Sequence, residues 1–481
     1  MKGTYLTGEG SVSIGRVVMA ACLMSVVALL AAEATAQSDS QPPNFIIIFC
    51  DDLGYSDIGC FGSELHRTPN IDRMAAEGTK FTSFYVTSGV CSPSRSSLMT
   101  GCYPRRVNLH QDHGGAWVLF PRGKRGLNPD EVTIAEVLKD AGYATAIVGK
   151  WHLGDQPDFL PTRQGFDRYF GIPYSNDMGH DSRPKPYKYP PLPLLRNEQV
   201  LESEPDQRYL TQRYTDEAVQ FIESHRDGPF FLYLPHTMPH WPQYASEAFA
   251  GKSKNGKWGD AVEEIDWSTG VILDKLKDLG IDDRTLVIFT SDNGGATRHG
   301  AHNEPLKGGK GSTFEGGQRV CNVMRWPGQV PAGRSCEALV TSMDILPTLA
   351  KLAGTTPPKN RIIDGKDISE LLLGKPNARS PHNAFYYYFK DRLECVRSGP
   401  WKLRIAQVRG GENVKLPQLF NLEEDIGETK DVSSNHPEVV SRLTRLAAQA
   451  RADLGDGDQP GENQRSAGIV DQPRALTDPL K

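Results

Sequence analysis

The stretch Asn44-Phe45-Ile46-Ile47-Ile48-Phe49-Cys50-Asp51-Asp52 decides how the rest of the sequence is interpreted. Residues 44–50 form a continuous apolar run, which is typical of a central strand covered on both faces. Two adjacent carboxylates follow, and they would repel each other unless a cation lay between them. A turn rich in aspartate, with one side chain capping a neighbouring segment, is the structural alternative. The stretch predicts a buried strand and favours a cation at its end.

Three further apolar strands are predicted, and each leads to polar side chains. Residues 142–152, 229–234 and 285–290 lead, in order, to Lys150 and His152, to His236 and His240, and to Asp292 and Asn293. Helical segments separate these strands, which predicts a doubly wound α/β fold with a large mixed, mainly parallel sheet flanked by helices. Ligands of such sheets bind beyond the carboxyl ends of the strands. We therefore expect one shared pocket, although a lone lysine or histidine at a strand end is more often a solvated surface group.

The segment Gly89-Val90-Cys91-Ser92-Pro93-Ser94-Arg95-Ser96-Ser97-Leu98-Met99-Thr100-Gly101 places a cysteine before a predicted helix. Pro93 suits the first helical turn. Free backbone N–H groups and the helix dipole favour negative charge there, so a thiolate or an anionic substrate at Cys91 would be stabilised. Arg95 lies one turn further on and is expected to face back toward Cys91. Taken alone, Cys91 is as well explained as a small buried hydrophobe.

The order Cys-x-Pro-x-Arg, followed by leucine, methionine and Thr-Gly, resembles the first signature of the type I sulfatases. Residues 142–152 resemble the second signature, and residues 307–317 resemble a Gly-Lys-x-x-x-x-Glu-Gly-Gly segment of that family. The similarity runs from residue 44 to residue 428 and is strongest to the arylsulfatase A and N-acetylgalactosamine-6-sulfatase group. It implies the alkaline-phosphatase-like fold, and oxidation of Cys91 by a separate maturation enzyme to Cα-formylglycine, whose hydrated aldehyde is the nucleophile.

The resemblance also implies a set of site residues. The catalytic residues would be Cys91, Arg95, Lys150, His152, His240 and Lys310, with His236 as the second choice for His240. The metal ligands would be Asp51, Asp52, the modified residue 91, Asp292 and Asn293. The substrate would be bound by Ser175, Lys150, His240 and Lys310. Carboxylate and amide donors favour Ca²⁺ first and Mg²⁺ second. His110, His113, His299 and His302 are expected either at the substrate mouth or in structural roles.

The composition and the N-terminal sequence indicate the compartment in which the protein acts and the partners that it lacks. The net charge is −5 without a block of consecutive basic residues, so no nucleic-acid partner is expected. Arg16, the apolar run 17–32 and Ala34-Thr35-Ala36 predict a signal peptide over residues 1–36 and export to a periplasmic, extracellular or lysosome-like compartment. The run is short for a membrane span, so none is expected after cleavage; an uncleaved anchor is the alternative. Six cysteines then remain besides Cys91, which permits disulfides without fixing their pairing.

The expected domain organisation is a catalytic domain over residues 42–356, a smaller α+β subdomain over 357–455 and a loose polar tail over 456–481. In the subdomain, short strands predict an antiparallel sheet packed by a helix over 437–453. A proline-rich loop over residues 181–193 is expected above the pocket mouth. The acidic residues within 260–266 are expected on the solvated face of a helix over 260–279.

The sequence therefore predicts hydrolysis of sulfate monoesters, on an aryl sulfate or more specifically a sulfated sugar or polysaccharide. A phosphonate or phosphate ester hydrolase of the same superfamily is the enzyme alternative, because the same nucleophile and metal suit phosphoryl transfer. A non-catalytic relative that binds sulfated glycans is the alternative of a different class. The sequence departs from the family pattern at Cys102 and at Arg319-Val320-Cys321. These departures leave both the substrate and the sulfated position of the sugar undetermined.

Overall fold

The structure, a computed structural model, describes residues 1, 3–7, 41–180, 188–407 and 415–478. The predicted signal-peptide core, residues 17–36, and residues 181–187 of the predicted pocket loop lie outside the described residues. The chain divides into the units Met1–Gln41 and Pro42–Lys481, and everything below concerns the second. No helix in the described part of the chain has both the length and the apolar character needed to cross a membrane.

A ten-stranded mixed sheet, counted over the described residues, forms the centre of the molecule. The strand Asn44–Cys50 is buried along its whole length and pairs in parallel with Thr285–Ser291 on one side and Phe230–Pro235 on the other. The strand Ala144–Val148 pairs in parallel with Phe230–Pro235. Spatially, the strands follow the order Arg334–Cys336, Thr79–Phe81, Asn322–Arg325, Thr285–Ser291, Asn44–Cys50, Phe230–Pro235, Ala144–Val148, Arg168–Gly171, Pro193–Arg196 and Gln199–Ser203. The predicted mixed, mainly parallel sheet is confirmed.

Both faces of this sheet are covered, as the apolar strand predicts. Phe45, Ile47 and Phe49 face one hydrophobic core, whereas Ile46 and Ile48 face the other, because successive strand side chains point to opposite faces. The first core is covered by the helices Cys91–Thr100, Ile134–Asp140 and Ile345–Leu352. The second core is covered by the helices Pro69–Ala76, Leu210–Ser224 and Gly256–Asp278. The loops that follow the four central parallel strands consequently all lie at one edge of the sheet.

The helix that carries the signature cysteine begins at Cys91 itself, two residues before the expected start at Pro93. Val90 is extended and precedes it, and Gly101, with φ of 67°, ends it in the left-handed region. Every residue of this helix is buried. The helix therefore lies inside the molecule with its N-terminus at the carboxyl edge of the sheet.

The run Lys80-Phe81-Thr82-Ser83-Phe84-Tyr85 predicts one strand from its sequence, but in the structure it belongs to two. Thr79–Phe81 joins the central sheet, whereas Phe84–Tyr85 pairs with Arg319–Val320 and Val340–Thr341 in a separate three-stranded sheet. The prediction was wrong because the chain changes partners between Phe81 and Phe84, and both sets of partners lie more than 200 residues away along the chain.

The acidic residues of the helix Gly256–Asp278 are buried, so the prediction of a solvated acidic face was wrong. The Asp260 carboxylate accepts hydrogen bonds from the backbone N–H groups of residues 251–253. Asp266 accepts from the backbone of Asn70 and Ile71, at the N-terminus of the helix Pro69–Ala76. Glu263 binds Arg67 at 2.6 Å. These carboxylates satisfy backbone donors of loops and a helix end, which is why burial is tolerated.

The C-terminal region contains the expected antiparallel sheet, with strands Phe385–Phe389, Arg392–Ser398, Trp401–Arg404 and Gln418–Asn421. The helix Pro437–Leu454 packs on it through Ala447 and Ala450. The tail packs rather than lying loose, because Gly468–Ile469 pairs with Arg125–Gly126 and the Arg465 guanidinium binds the Glu131 carboxylate at 2.7 Å. The shorter elements include the helices Glu315–Gln318 and Ser369–Leu372 and the strands Gly455–Asp456 and Gln459–Pro460.

The cysteines that the structure describes are all free thiols, so none of the disulfides that the count permits is formed among them. Six of the seven described cysteines are buried; Cys60 is partly exposed. Cys50, the last residue of the strand Asn44–Cys50, is one of these buried thiols.

Candidate active site

A cavity of about 430 Å³ opens at the carboxyl edge of the central sheet. Its floor is formed by six of the residues predicted from the sequence, namely Asp52, Cys91, His152, Ser175, His240 and Lys310. Its walls include Trp117, Phe120, Met178, Trp241, Arg298 and His299. The other five predicted residues, Asp51, Arg95, Lys150, Asp292 and Asn293, are buried at exposures of 0%. The structure thus brings the whole predicted set together from loops that are far apart in sequence.

Asp51 is the point on which the signature cysteine and two cations converge. The Cys91 thiol donates to the Asp51 Oδ1 atom at 3.3 Å, and the Lys150 ammonium donates to Oδ2. The Arg95 guanidinium lies 3.8 Å from Oδ1. Burial would raise the pKa of Asp51, but Lys150, His240 and Arg95 hold it well below its usual range. Burial first, and then the Asp51 charge, raise the pKa of the Cys91 thiol well above its usual range, so the unmodified side chain is a protonated thiol.

Asp52, Asp292 and Asn293 form the second half of the charged floor. The Asn293 amide donates to the Asp52 Oδ1 atom at 2.8 Å, and the Lys310 ammonium donates to Oδ2 at 2.6 Å. The backbone N–H of Asp52, a residue with φ of 71°, donates to the Asp292 Oδ1 atom at 3.1 Å. The Arg95 guanidinium, which lies 3.8 Å from the Asp51 oxygen that the Cys91 thiol contacts, also donates twice to the Asp292 Oδ2 atom, at 2.9 and 3.1 Å. Burial and the Asp51 charge raise the pKa of Asp292 to about 7.

These donors fit a hard divalent cation. Three carboxylates and one amide oxygen are the ligand types that Ca²⁺ and Mg²⁺ prefer. The Asn293 Oδ1 atom is buried and has no hydrogen-bond partner, which is costly unless a cation or water satisfies it. Asp51, Asp52, Cys91 and His240 each offer a ligand atom, and these atoms lie within 4.8 Å of one another. The Asn293 Oδ1 atom could therefore serve as a further oxygen ligand of a cation held by this group.

His240 is oriented by Asn176, a residue that the sequence reasoning missed. The Asn176 Nδ2 group donates to the Gln207 Oε1 atom at 3.0 Å and to the Pro242 carbonyl at 3.1 Å. Since both are acceptors, the Asn176 Oδ1 atom must be the one that accepts from the His240 Nδ1–H, at 2.9 Å. The Nε2 atom then faces the site, 3.6 Å from the Asp52 Oδ2 atom.

His236, the second choice, is buried and lies 3.4 Å from the Ser268 hydroxyl; it is not among the residues that line the cavity. The only sequence signal for Asn176 is its position directly after Ser175. The Ser175 hydroxyl itself lies 3.3 Å from the Lys150 ammonium.

His152 presents a free acceptor on the other side of the cavity. Its Nε2 atom lies 3.0 Å from the Leu119 carbonyl, which can only accept, so Nε2 carries the proton. Its buried Nδ1 atom makes no hydrogen bond. Burial first, and the charge of Lys150 second, lower the pKa of His152 well below its usual range. The neutral ring therefore offers the Nδ1 lone pair, in a backbone with φ of 64°.

The four histidines expected near the mouth separate into different environments. His299 lines the cavity and stacks on Trp241 with ring centroids 5.7 Å apart. His110 is buried against the Arg105 guanidinium at 3.2 Å, and His302 lies 3.4 Å from the Asp57 carboxylate. These two, together with His113, are not among the lining residues. The aromatic walls Trp117, Phe120 and Trp241 were not predicted, because single aromatic residues in loops carry no periodic signal.

Comparisons with known proteins agree with this geometry. The family model described as Sulfatase matches residues 43–355, and the model described as N-sulphoglucosamine sulphohydrolase, C-terminal, matches residues 309–453. N-acetylgalactosamine-6-sulfatase of Canis lupus familiaris is 38% identical over 91% of each chain. Human arylsulfatase A is 38% identical over 87% of this chain and 89% of its own.

The solved structure of Ps i-CgsB in complex with k-i-k-neocarrahexaose superposes with a TM-score of 0.74 at 33% identity. It covers 85% of this chain and 92% of its own length. The family model spans well over half of the sequence and includes every residue of the charged floor. The chain belongs to the sulfatase family, and the protein is a sulfuric ester hydrolase.

Proposed function

We propose that this sulfatase removes sulfate from a sulfated carbohydrate, with Cα-formylglycine derived from Cys91 as the nucleophile and Ca²⁺ as the resident metal. The observation that carries the proposal is the placement of Cys91. Its side chain lies at the N-terminus of the helix Cys91–Thr100, lines the cavity and contacts a carboxylate that Lys150 also binds. An anionic ester in this cavity would meet fixed positive charge next to residue 91.

A carbohydrate substrate is supported by the cavity walls and by the relatives. Trp117, Phe120 and Trp241 give apolar ring faces beside polar groups, which is the usual composition of a small-molecule site. A relative is named for N-acetylgalactosamine 6-sulfate, and one structural neighbour was solved with neocarrahexaose. We infer a sulfated sugar as the substrate class.

Asp51, Asp52, Asp292 and Asn293 would hold the Ca²⁺ together with an oxygen of the modified residue 91. Bound there, the cation would neutralise charge on the sulfuryl oxygens and orient the nucleophile. Arg95 fixes the Asp292 carboxylate through its two hydrogen bonds, and its charge opposes the rise in the pKa of Asp292 that burial and Asp51 cause. Mg²⁺ is the second choice, because it tolerates less departure from octahedral geometry.

The hydrated aldehyde at residue 91 would supply one hydroxyl to attack sulfur and a second whose deprotonation expels sulfate. Lys150 and Lys310 offset negative charge on the sulfuryl oxygens. His240, with Lys310 assisting, would donate a proton from Nε2 to the departing alcohol oxygen in its doubly protonated form. The neutral ring carries its proton at Nδ1, where Asn176 accepts it, and burial favours this neutral form by lowering the pKa of His240 to about 4, so the step requires a second proton taken up at Nε2. His152 accepts the hydroxyl proton at Nδ1, since Nε2 is engaged by Leu119. Overall, one sulfate ester and one water give one alcohol and one sulfate.

We propose further that the protein is exported through the N-terminal leader and is matured by a formylglycine-generating enzyme. The apolar run 17–32 and the Ala34-Thr35-Ala36 site support export. The Cys-x-Pro-x-Arg order around Cys91 supports recognition by the maturation enzyme.

The test of the reaction and substrate class compares three ester types on protein matured together with that enzyme. We expect sulfate release from N-acetylgalactosamine 6-sulfate and from 4-nitrophenyl sulfate, measured by ion chromatography, with far slower release of phosphate from 4-nitrophenyl phosphate. The Cys91→Ala variant is the matched control. Faster phosphate release would favour the phosphate ester hydrolase, and tight binding of sulfated sugars without turnover would favour the non-catalytic relative.

The metal is tested on the same protein after treatment with a chelator. We expect added Ca²⁺ to raise the melting temperature and restore activity, because a ligand that binds only the native state stabilises it by mass action. Greater restoration by Mg²⁺ would overturn the choice of Ca²⁺. No shift with either ion would contradict the ligand set.

A further inference from the structure

A second cavity, of about 550 Å³, adjoins the active-site cavity. The two share the lining residues Ala296, Arg298 and Lys310, so they meet at the loops that carry these side chains. The far side of the second cavity is formed by Phe389, Glu394 and Arg404 of the C-terminal antiparallel sheet. Each cavity is large enough for a small ligand, since such sites usually measure about 300–1,000 Å³.

Arg298 lies where the two cavities meet, and its guanidinium is unpaired among the described residues. It is exposed, lines both cavities and, within the part of the chain that the structure describes, makes no hydrogen bond or ion pair. Lys310, beside it, is by contrast engaged by Asp52 at 2.6 Å. A guanidinium presents a planar set of N–H donors that matches the oxygens of a sulfate or carboxylate. Arg298 is thus a free anion-binding group a short way from the sulfate pocket.

Arg404 supplies unsatisfied donors at the far side of the second cavity. Its side chain is 1% exposed; one terminal nitrogen donates to the Thr313 hydroxyl at 3.1 Å. Its Nε and Nη2 atoms have no hydrogen-bond partner, and the nearest carboxylates, of Glu394 and Glu428, lie 3.8 and 3.9 Å away. Buried N–H donors left in this state are costly, so oxygen atoms of a ligand or of water are expected to meet them.

We propose that the two cavities form one substrate cleft, in which the second holds the adjoining sugar of an oligosaccharide and Arg298 binds a second anionic group on it. This inference rests on the proposed action on sulfated carbohydrate and specifies its substrate class further. Phe314 and Phe389 both line the second cavity. Arg404 and Lys307 lie over the Phe314 ring, at 4.0 and 4.6 Å from its centroid, so Phe389 is the aromatic side chain that would offer apolar contact to the sugar. Glu304 also lines it and disfavours a densely anionic chain, so one anionic group, at the Arg298 junction, is what the charges fit.

The test measures kcat and KM for two disaccharides that differ only in a second sulfate on the neighbouring sugar. We expect the unaltered enzyme to prefer the doubly sulfated disaccharide. Arg298→Gln should reduce the ratio of the two kcat/KM values by about tenfold, mainly through KM, because a charge-assisted contact is lost. Arg298→Lys, which keeps the charge but not the planar donor set, should retain part of the ratio. Arg445→Gln, an exposed arginine outside both cavities, is the matched control and should leave the ratio unchanged.

The outcomes separate this inference from the function on which it rests. If the unaltered enzyme hydrolyses both disaccharides and Arg298→Gln leaves the ratio unchanged, the shared cleft is wrong while the sulfated-carbohydrate function stands. If the unaltered enzyme hydrolyses 4-nitrophenyl sulfate but neither disaccharide, the carbohydrate function fails and the shared cleft fails with it. If Arg298→Gln lowers the melting temperature, the same ratio of kcat/KM values is measured for Arg298→Lys and Arg298→Met instead.

Discussion

Two clusters of charged side chains among the described residues, each largely buried, differ in what they face. The first, the site cluster, comprises Asp51, Asp52, Asp292, Arg95, Lys150 and Lys310. The second, the support cluster, comprises Glu315, Lys402 and Glu428, in which the Lys402 ammonium binds each carboxylate at 2.9 Å. Burial would raise the pKa of Glu315, but Lys402, Arg397 and Arg319 hold it at about 2. Strong pKa shifts therefore occur in both clusters.

What distinguishes the site cluster is an adjoining cavity and a buried amide oxygen without a hydrogen-bond partner. Asp52 and Lys310 line the cavity, and the Asn293 Oδ1 atom beside them is unsatisfied. No residue of the support cluster lines either cavity described above. The support cluster instead joins the strand Trp401–Arg404 to the start of the helix Glu315–Gln318, just beyond the loop that carries Lys310. A cluster of buried charges thus indicates a catalytic or binding site only when a substrate or an ion can reach it.

The largest expected effect is the loss of the nucleophile. Cys91→Ala should lower kcat/KM for 4-nitrophenyl sulfate by at least about 10³-fold with little change in the melting temperature, because residue 91 supplies the attacking oxygen in the proposed mechanism. Cys60→Ala, which removes a partly exposed thiol outside the cavity, is the matched control. Substantial activity in Cys91→Ala would contradict the assignment of the site cluster to catalysis.

Within the site cluster, removal of one cation tests electrostatic stabilisation. Lys310→Met should lower kcat by about 10²-fold, since one preorganised donor aimed at developing charge contributes on that scale. The melting temperature should change little, because the Lys310 side chain lies at the cavity. Steady-state kinetics and thermal unfolding on the same preparation check both expectations. A stability loss as large as the activity loss would assign Lys310 to structural support.

The matched change in the support cluster should act on stability instead. Lys402→Met leaves two buried carboxylates without their cation, so the free energy of unfolding should fall by about 3–5 kcal/mol in urea titrations. At a temperature where the variant is folded, its kcat should fall less than that of Lys310→Met. Lys375→Met, an exposed lysine, is the control. A full loss of activity with unchanged stability would place Lys402 in the chemistry.

The smallest expected effect concerns the orientation of His240. Asn176→Leu removes the acceptor at Nδ1, and kcat for a sulfated sugar should fall by about tenfold because the ring is no longer held with Nε2 toward the site and its doubly protonated form loses a hydrogen bond. The fall should be smaller for 4-nitrophenyl sulfate, since 4-nitrophenolate leaves readily without a proton. Asn360→Leu is the exposed control. Equal losses on both substrates would indicate that Asn176 supports packing alone.

The strand Asn44–Cys50 and the pocket at its end could be predicted because the information is local: an apolar run, then carboxylates, repeated at each parallel strand. Other features depend on distant partners. The break between Phe81 and Phe84 reflects pairing with residues beyond 319, and the burial of Asp266 depends on the N-terminus of a helix almost 200 residues earlier. Asn176 and Arg298 carry no motif, so only the geometry of their neighbours reveals them.

A mass spectrum of the tryptic peptide from Phe81 to Arg95, set beside activity, decides whether Cys91 is the precursor of the nucleophile. Protein should be produced with graded amounts of a formylglycine-generating enzyme. We expect kcat for 4-nitrophenyl sulfate to rise in proportion to the fraction of residue 91 that is present as the aldehyde. Protein in which Cys91 is entirely thiol should have no activity. Full activity in protein whose Cys91 remains an unmodified thiol would contradict this expectation.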